Sequence, residues 1–258
     1  MLKKNIIMTA DEYLKNIIAN KKADSITIDD YRLTSVKSAL TTWAGQQLSS
    51  LKQSGSSAKG TALKGIADFD IFISLKSDTT ETLKDIYNKL ETSIKNAGWS
   101  TRRQNVSIGI THNNLKIDLV PGKIQLGYQN YHSIYSSKND TWMQTNIDLH
   151  ITKVRNSGRT NEIILTKIWK HINNIDFPSI YIELTVLEAL YNKPTNNLAT
   201  NFLAVLTYLR DNFVNSTVID PANTNNKVSD MLYKYEKEAI ATQAKTTLNK
   251  STWGEIIW

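Results

Sequence analysis

The chain has 258 residues, 40% of them hydrophobic, and its 31 Lys and Arg against 24 Asp and Glu give a formal net charge of +7. Such a length and composition exclude a disordered chain and suit one large or two small cores, while the basic balance tilts toward anionic partners such as nucleotides, nucleic acid or acidic lipid. With no cysteine, disulfides, thiolate metal sites and cysteine nucleophiles are excluded, which fits a reducing cytoplasm.

Four histidines (His112, His132, His150, His171) lack HExxH or clustered spacing, which argues against a zinc enzyme. At the start, the apolar run Ile6 to Met8 is too short for a signal-peptide core. No stretch approaches the roughly 20 apolar residues of a membrane span. The expectation is a soluble cytoplasmic protein with no membrane partner.

In chain order, "TADEYLKNIIANKK" reads as a helix with Thr9 as N-cap, Glu12 three residues on, and Leu14, Ile17 and Ile18 on one face. A long helix is expected next over Asp29 to Gln53, where Tyr31, Val36, Leu40, Trp43, Leu48 and Leu51 recur at three to five residues. After "SGSSAKGTALKG" comes the strand-like "IADFDIFISL". A helix follows in "DTTETLKDIYNKLETSIKNAG", with Gly98 as its stop. Strands are expected in "RRQNVSIGITHN", in "NLKIDLVPG", ending at Pro121-Gly122, and around "KIQLGYQNY". From about Gly158 the pattern is helical again through "RTNEIILTKIWKHIN", "PSIYIELTVLEALYN", "NLATNFLAVLTYLRDNF" and "KVSDMLYKYEKEAIATQAKTTL". The division expected is therefore an α+β half, residues 1–157, and an all-helical half, residues 158–258.

The chemistry concentrates in "SGSSAKGTALKGIADFDIFISL". Strand alternation puts Phe69, Ile71, Ile73 and Leu75 on one face and Asp68 and Asp70 on the other. Carboxylates at i and i+2 are about 6 to 7 Å apart along the backbone. Their oxygens can converge on metal ions roughly 3.5 to 4 Å apart, and magnesium suits an all-oxygen site that shares phosphate oxygens. A solvated edge strand carrying two acids is the competing reading. Ahead of the acids, Gly55, Gly60 and Gly65 permit unusual backbone angles, and Ser56, Ser57 and Ala58 leave room for phosphate to approach main-chain N–H groups. Lys59 adds charge beside that cradle. A flexible surface linker, with a solvated Lys59, is the alternative; GxxxxGK[ST] does not occur. In "NLKIDLVPG", Leu115, Ile117 and Leu119 point one way and Asp118 the other. On an adjacent strand Asp118 completes a three-acid site and serves as base or metal-polarising group.

Gly-Ser, a short gap, Gly-Thr, Asp-x-Asp on a strand and a lone Asp on a later strand resemble the DNA polymerase β-like nucleotidyltransferases. Within them "GSSAKGTALKGIADFDIF" is most similar to the branch of oligoadenylate synthases, cyclic GMP-AMP synthases, bacterial CD-NTases and archaeal-type CCA-adding enzymes. "TKIWKHI", "PSIYIELTVLEAL" and "VIDPANTNNKVSD" look like later segments of that branch, so the resemblance runs from about Gly55 to Asp230. It implies an α+β fold: a polymerase β-like palm with a mixed sheet and a long N-terminal helix, followed by a C-terminal helical domain. It further implies that Gly55 and Ser56 bind the incoming triphosphate, that Asp68, Asp70 and Asp118 bind two Mg2+ ions, for which Mn2+ can substitute, and that Lys167 contacts phosphate. Tyr181 falls where a base-stacking side chain would be useful, the competing reading being a buried helix aromatic. Ala67, where serine is common, and Asn146, where proline is common, depart from the pattern.

The implied reaction is attack of a 3′-hydroxyl on the α-phosphorus of a nucleoside triphosphate, with release of pyrophosphate. The segment after the last helix is too short for a tRNA-gripping domain, so the leading expectation is a second-messenger synthase making cyclic or short oligonucleotides, by kinship in anti-phage defence with a downstream effector protein. The runner-up is a template-independent synthase of linear RNA or DNA oligomers, or an RNA-tailing enzyme with an RNA acceptor, including protein priming from a tyrosine hydroxyl. A catalytically dead nucleotide-binding relative and a small-molecule nucleotidylating enzyme complete the field.

Overall fold

A computed structural model describes residues 8–258; Ile6 and Ile7, on which the leader reading rests, lie outside the described residues. In chain order the elements are α1 (Ala10–Lys21), α2 (Thr34–Ala44), β1 (Leu48–Ser54), α3 (Gly55–Lys59), β2 (Phe69–Leu75), α4 (Leu83–Asn96), β3 (Arg102–Arg103), β4 (Ile108–His112), β5 (Leu115–Gln125), β6 (Tyr128–Ser136), β7 (Thr141–Thr145) and α5 (Ile147–Arg155). They continue as α6 (Thr160–Ile172), α7 (Ser179–Ala189), α8 (Leu198–Asp211), β8 (Ile219–Asp220), β9 (Asn223–Lys227), α9 (Lys234–Leu248) and α10 (Trp253–Ile256).

The chain forms two compact units, one of residues 24–153 with 221–223, the other of the remaining segments on either side. This corrects the division at 157/158: α1 belongs to the helical unit. The reason lies in its own residues. Leu14 and Ile18 are buried, and Asp11 accepts hydrogen bonds from the backbone N–H groups of Leu198 and Ala199 at 3.2 and 2.8 Å. A carboxylate there satisfies donors at the start of α8 that the helix itself leaves open. Thr9 and Glu12 form the expected capping box on α1.

The sheet unit carries the mixed seven-stranded sheet, with β1-β2-β5-β4-β3 as its main path and β6 linking β5 to β7. β2 and β5 are parallel and the other pairs antiparallel. On one face α2, with Leu33 just before it, and α4 bury Leu33, Val36, Leu40, Ile86, Tyr87, Leu90 and Ile94 against Phe69, Ile71, Ile73, Ile117 and Leu119. The other face holds a smaller apolar cluster of Phe72, Ile134 and Ile147.

Two sequence expectations are corrected in this unit. The single helix over Asp29 to Gln53 stops at Ala44, because Gly45 takes φ +51° as its C-cap, and Leu48–Ser54 is a strand paired with β2. β5 does not end at Pro121-Gly122 but runs to Gln125. β4 pairs with Leu115 to Leu119 and β6 from Gly122 onward. Pro121, which has no N–H to donate, falls in the gap between those partners.

In the helical unit the four expected helices are present as α6 to α9, with Asn197 capping α8. The expected fourth helix begins at Lys234, later than its periodicity suggested. Before it, "VIDPANTNNK" contains the two-stranded β8-β9 sheet.

Candidate active site

β2 ends the edge-strand alternative for Asp68 and Asp70: it lies between β1 and β5, inside the sheet. Asp70 faces Asp118 directly across the parallel β2-β5 pair and Ser54 across β1. Further along the same face the side chains are Phe72 and Ser74, both buried. The acids therefore stand at the end of a sheet face whose later side chains, Phe72 and Ser74, are covered. Asp68 immediately precedes the strand and is partly exposed.

The glycine-serine stretch is not a linker. Ser54 closes β1, and Gly55–Lys59 makes one helical turn, α3, closed by Gly60 in the left-handed region. Gly55 takes φ +60°, and a Cβ built on it would lie 1.8 Å from Oδ2 of Asp70. Only glycine allows this turn to press against the carboxylate. Ser56 follows it, half-buried. Lys59, expected as a charge beside the cradle, is 8% exposed, which goes against the alternative of a solvated loop lysine.

Asp118 is 13% exposed at its side chain, and its Oδ1 accepts a 2.5 Å hydrogen bond from Nε2 of Gln104. Burial pushes its carboxyl above the usual aspartate range, and the charge of Asp68 pushes it further, against the opposing pull of Arg102 and of hydrogen bonds from Gln104 and Ser107. Arg102 Nη2 lies 3.7 Å from Asp68 Oδ2 and 3.9 Å from Asp118 Oδ1. On β4, Gly109 pairs with Asp118, and a Cβ there would come within 2.9 Å of Gln104 Nε2 and 3.1 Å of both Arg102 Nη2 and Asp118 Oδ1. Arg102, Gln104 and Gly109 were not singled out by sequence. The paired arginines of "RRQ" were a signal, but nothing local says which of them turns toward an acid on another strand.

The donor set suits hard divalent cations. Three carboxylates share one end of the sheet, an all-oxygen donor set of the kind such ions take, and the Arg102 guanidinium answers the negative charge of two of them at 3.7 and 3.9 Å. As the side chains stand, no group of three or more His, Cys, Asp or Glu among the described residues is drawn together closely enough to ligate an ion. Asp118 is turned onto Gln104, and Arg102 lies between Asp118 and Asp68.

The other two sequence candidates belong to the helical unit. Lys167 is 6% exposed at its side chain, and its Nζ lies 2.8 Å from Oε1 of Glu183, itself 2% exposed. The phosphate-contacting lysine expected there is thus a buried ion-pair partner joining α6 to α7. Tyr181 is fully buried, its ring packed 5.2 Å from Phe177 and 5.0 Å from Phe213 between centroids. Burial pushes its phenol well above the usual tyrosine range. A ring enclosed by two others presents no face to a base, so the stacking expectation is corrected to packing.

The parallel β2-β5 pair with its facing aspartates, fed by a glycine-serine turn, defines a nucleotidyltransferase of the polymerase β-like kind. The sequence matches the family described as Second Messenger Oligonucleotide or Dinucleotide Synthetase domain over residues 8–157, and the chain belongs to that family. The fold agrees with that of E. coli MS115-1 CdnC solved with ATP, at TM-score 0.74 and 19% identity over 97% of this chain and 96% of that one. It is similar also to Bradyrhizobium diazoefficiens CD-NTase CdnG in complex with GTP, at TM-score 0.76 and 11% identity over 93% and 90% of the two chains. Elizabethkingia meningoseptica CdnE, a cyclic dinucleotide synthase, matches at TM-score 0.70 and 15% identity over 94% and 100%. No curated protein matches the sequence. No helix among the described residues is long and apolar enough to cross a membrane.

Proposed function

We propose that the protein joins nucleoside triphosphates into cyclic or short oligonucleotides, releasing pyrophosphate at each step, as a second-messenger synthase of anti-phage defence. The observation that carries this reading is the convergence of Gly55, Asp70 and Asp118: a glycine turn pressed against one carboxylate and a second carboxylate in register beside it. In this reading Asp68, Asp70 and Asp118 hold two Mg2+ ions, with Mn2+ as a substitute. The bound ions supply charge neutralisation to the attacking and leaving oxygens of an in-line displacement at the α-phosphorus. Asp118, beside the bound ions, orients the attacking 3′-hydroxyl and receives its proton. Gly55 and Ser56 bring main-chain N–H groups to the β and γ phosphates. The neighbours solved with ATP and GTP support nucleoside triphosphates as the substrate class.

The test is incubation of the purified protein with labelled ribo- and deoxynucleoside triphosphates and Mg2+ or Mn2+, followed by phosphatase. Small products resistant to phosphatase are expected. A ladder of linear products, or label on added RNA or on the protein itself, would replace this reading with a tailing or protein-primed polymerase.

A further inference from the structure

β3 is only two residues long, yet its two arginines face opposite ways for reasons written in their neighbours. Arg103 is anchored on the helical side of the sheet. It pairs with Glu91 of α4, donates to Asn88 Oδ1 at 2.9 Å and lies 4.7 Å over the ring of Tyr87. Glu91 is held in turn by Lys95 at 2.8 Å and Thr101 at 3.1 Å. Strand alternation then sends Arg102 to the opposite face, where the acids are. The missing side chain of Gly109 leaves the space in which Arg102, Gln104 and Asp118 meet.

We infer that Arg102 is a built-in counter-ion for Asp68 and Asp118, which a divalent cation must displace, so that the nucleotide-free protein is guarded against metal. This rests on the acid cluster being the metal site of the proposed function. Its contacts are long, 3.7 and 3.9 Å, and its side chain is 65% exposed, so the guanidinium is a loosely held cation and not a locked hydrogen-bond partner. A magnesium-type ion binds carboxylate oxygen at about 2.1 Å and would share the Asp118 Oδ1 region with both Arg102 and the Gln104 amide. Two cations so close repel, so one gives way. Arg103 remains anchored when Arg102 swings out, and the strand itself need not move. With the guard in place, metal enters most readily together with the phosphate oxygens of a nucleotide, whose negative charge offsets the guanidinium.

The experiment is a Mn2+ titration of the nucleotide-free full chain, with free Mn2+ read by electron paramagnetic resonance, for the wild type, Arg102→Ala and Asp70→Asn. Arg102→Ala is expected to bind Mn2+ about three- to tenfold more tightly than the wild type, since one neighbouring positive charge is gone. Unchanged or weaker binding would overturn the inference. A second measurement needs no metal: thermal melting in chelator of Arg102→Ala, Asp68→Asn and the double variant. Arg102→Ala should melt lower than the wild type, and this loss should shrink in the Asp68→Asn background. A full loss in both backgrounds overturns the counter-ion role. If no variant binds Mn2+ while the melting coupling is present, it is the metal-site reading that fails, together with the guarding of metal, and the ion pair alone stands.

Discussion

A Cβ on Gly55 would stand 1.8 Å from Oδ2 of Asp70 and 2.3 Å from its Cγ. The turn that begins α3 and the carboxylate at the start of β2 therefore occupy adjoining space with no room for a methyl group between them. Gly55→Ala must also hold φ +60°, which costs an L-residue about 1–2 kcal/mol before the clash is counted. Displacing Asp70 by the order of an ångström costs roughly a hundredfold in rate. The variant is expected to melt below the wild type and to lose product formation by at least that factor, read by thermal melting and by the labelled-nucleotide assay. Wild-type turnover in a folded Gly55→Ala protein would show that the turn and the acid work independently.

Asp70→Asn and Asp118→Asn both remove a carboxylate charge without removing volume. Turnover should be abolished in the first and fall by roughly a hundredfold or more in the second, with the fold intact by circular dichroism. Their effects on stability should differ. The Asp118 carboxyl is raised by burial and by Asp68, so the folded state binds its proton more tightly than the unfolded state does. Stability from this group therefore falls as pH rises from the ordinary aspartate value of 3.8 through the raised one. In chelator at neutral pH, Asp118→Asn should melt above the wild type, and addition of Mn2+ together with a nucleoside triphosphate should narrow that gap by stabilising the wild type more. A lower melting point for Asp118→Asn in chelator would contradict the direction of that shift.

The reach of sequence reasoning here follows the range of the interactions involved. Asp68, Asp70 and Asp118 were legible because alternation is a local property: apolar Phe69, Ile71, Ile117 and Leu119 fix the face on which the acids must stand. The same rule understated β2, since Phe72 and Ser74 on the acid side are buried as well; whether a strand is covered on both faces depends on α5 and β6, far along the chain. The helix expected over Asp29 to Gln53 failed at one residue, Gly45, whose positive φ outweighs the helical spacing of Leu48 and Leu51 beyond it. Lys167 and Tyr181 were assigned by the resemblance, but their surroundings are tertiary. Glu183 faces Lys167 only once α6 and α7 pack, and Phe213 reaches Tyr181 from beyond α8. Arg102 was missed because its partners, Asp68 just ahead of β2 and Asp118 on β5, are distant in sequence.

Lys167 and Glu183 form a buried pair at 2.8 Å, and removing one member of such a pair costs about 3–5 kcal/mol, mostly the penalty of the charge left behind. Lys167→Met should lose that order of stability in chemical denaturation, and Lys167→Met with Glu183→Leu should recover much of it. A fall in activity for Lys167→Met alone is then a folding effect, and the double variant separates it from any contact with phosphate. Equal stability of the single variant and the wild type would mean that the ammonium does not answer the Glu183 charge.

Glu91 gives the opposite pH behaviour to Asp118. Burial pushes its carboxyl up, but hydrogen bonds from Lys95, Arg103 and Thr101 together with the Arg103 charge outweigh burial, and the net effect is a carboxyl below its usual 4.5. A depressed carboxylate contributes stability that is present above the ordinary value and is lost as pH falls through the folded one. Acid unfolding should therefore steepen below about pH 4.5 in the wild type and flatten in Glu91→Gln, which keeps the size of the side chain but not its charge. At neutral pH the variant should be less stable by about 1.5–3 kcal/mol, the range for hydrogen bonds to a charged group. Arg103 would lose its ionic anchor, and the loosened β3 should release Arg102 from the acids. Faster amide hydrogen exchange at Arg102 and Arg103 in Glu91→Gln, with exchange in β2 unchanged, is the expected signature. Equal protection of β3 in both proteins would mean that Tyr87 and Asn88 suffice to hold the strand.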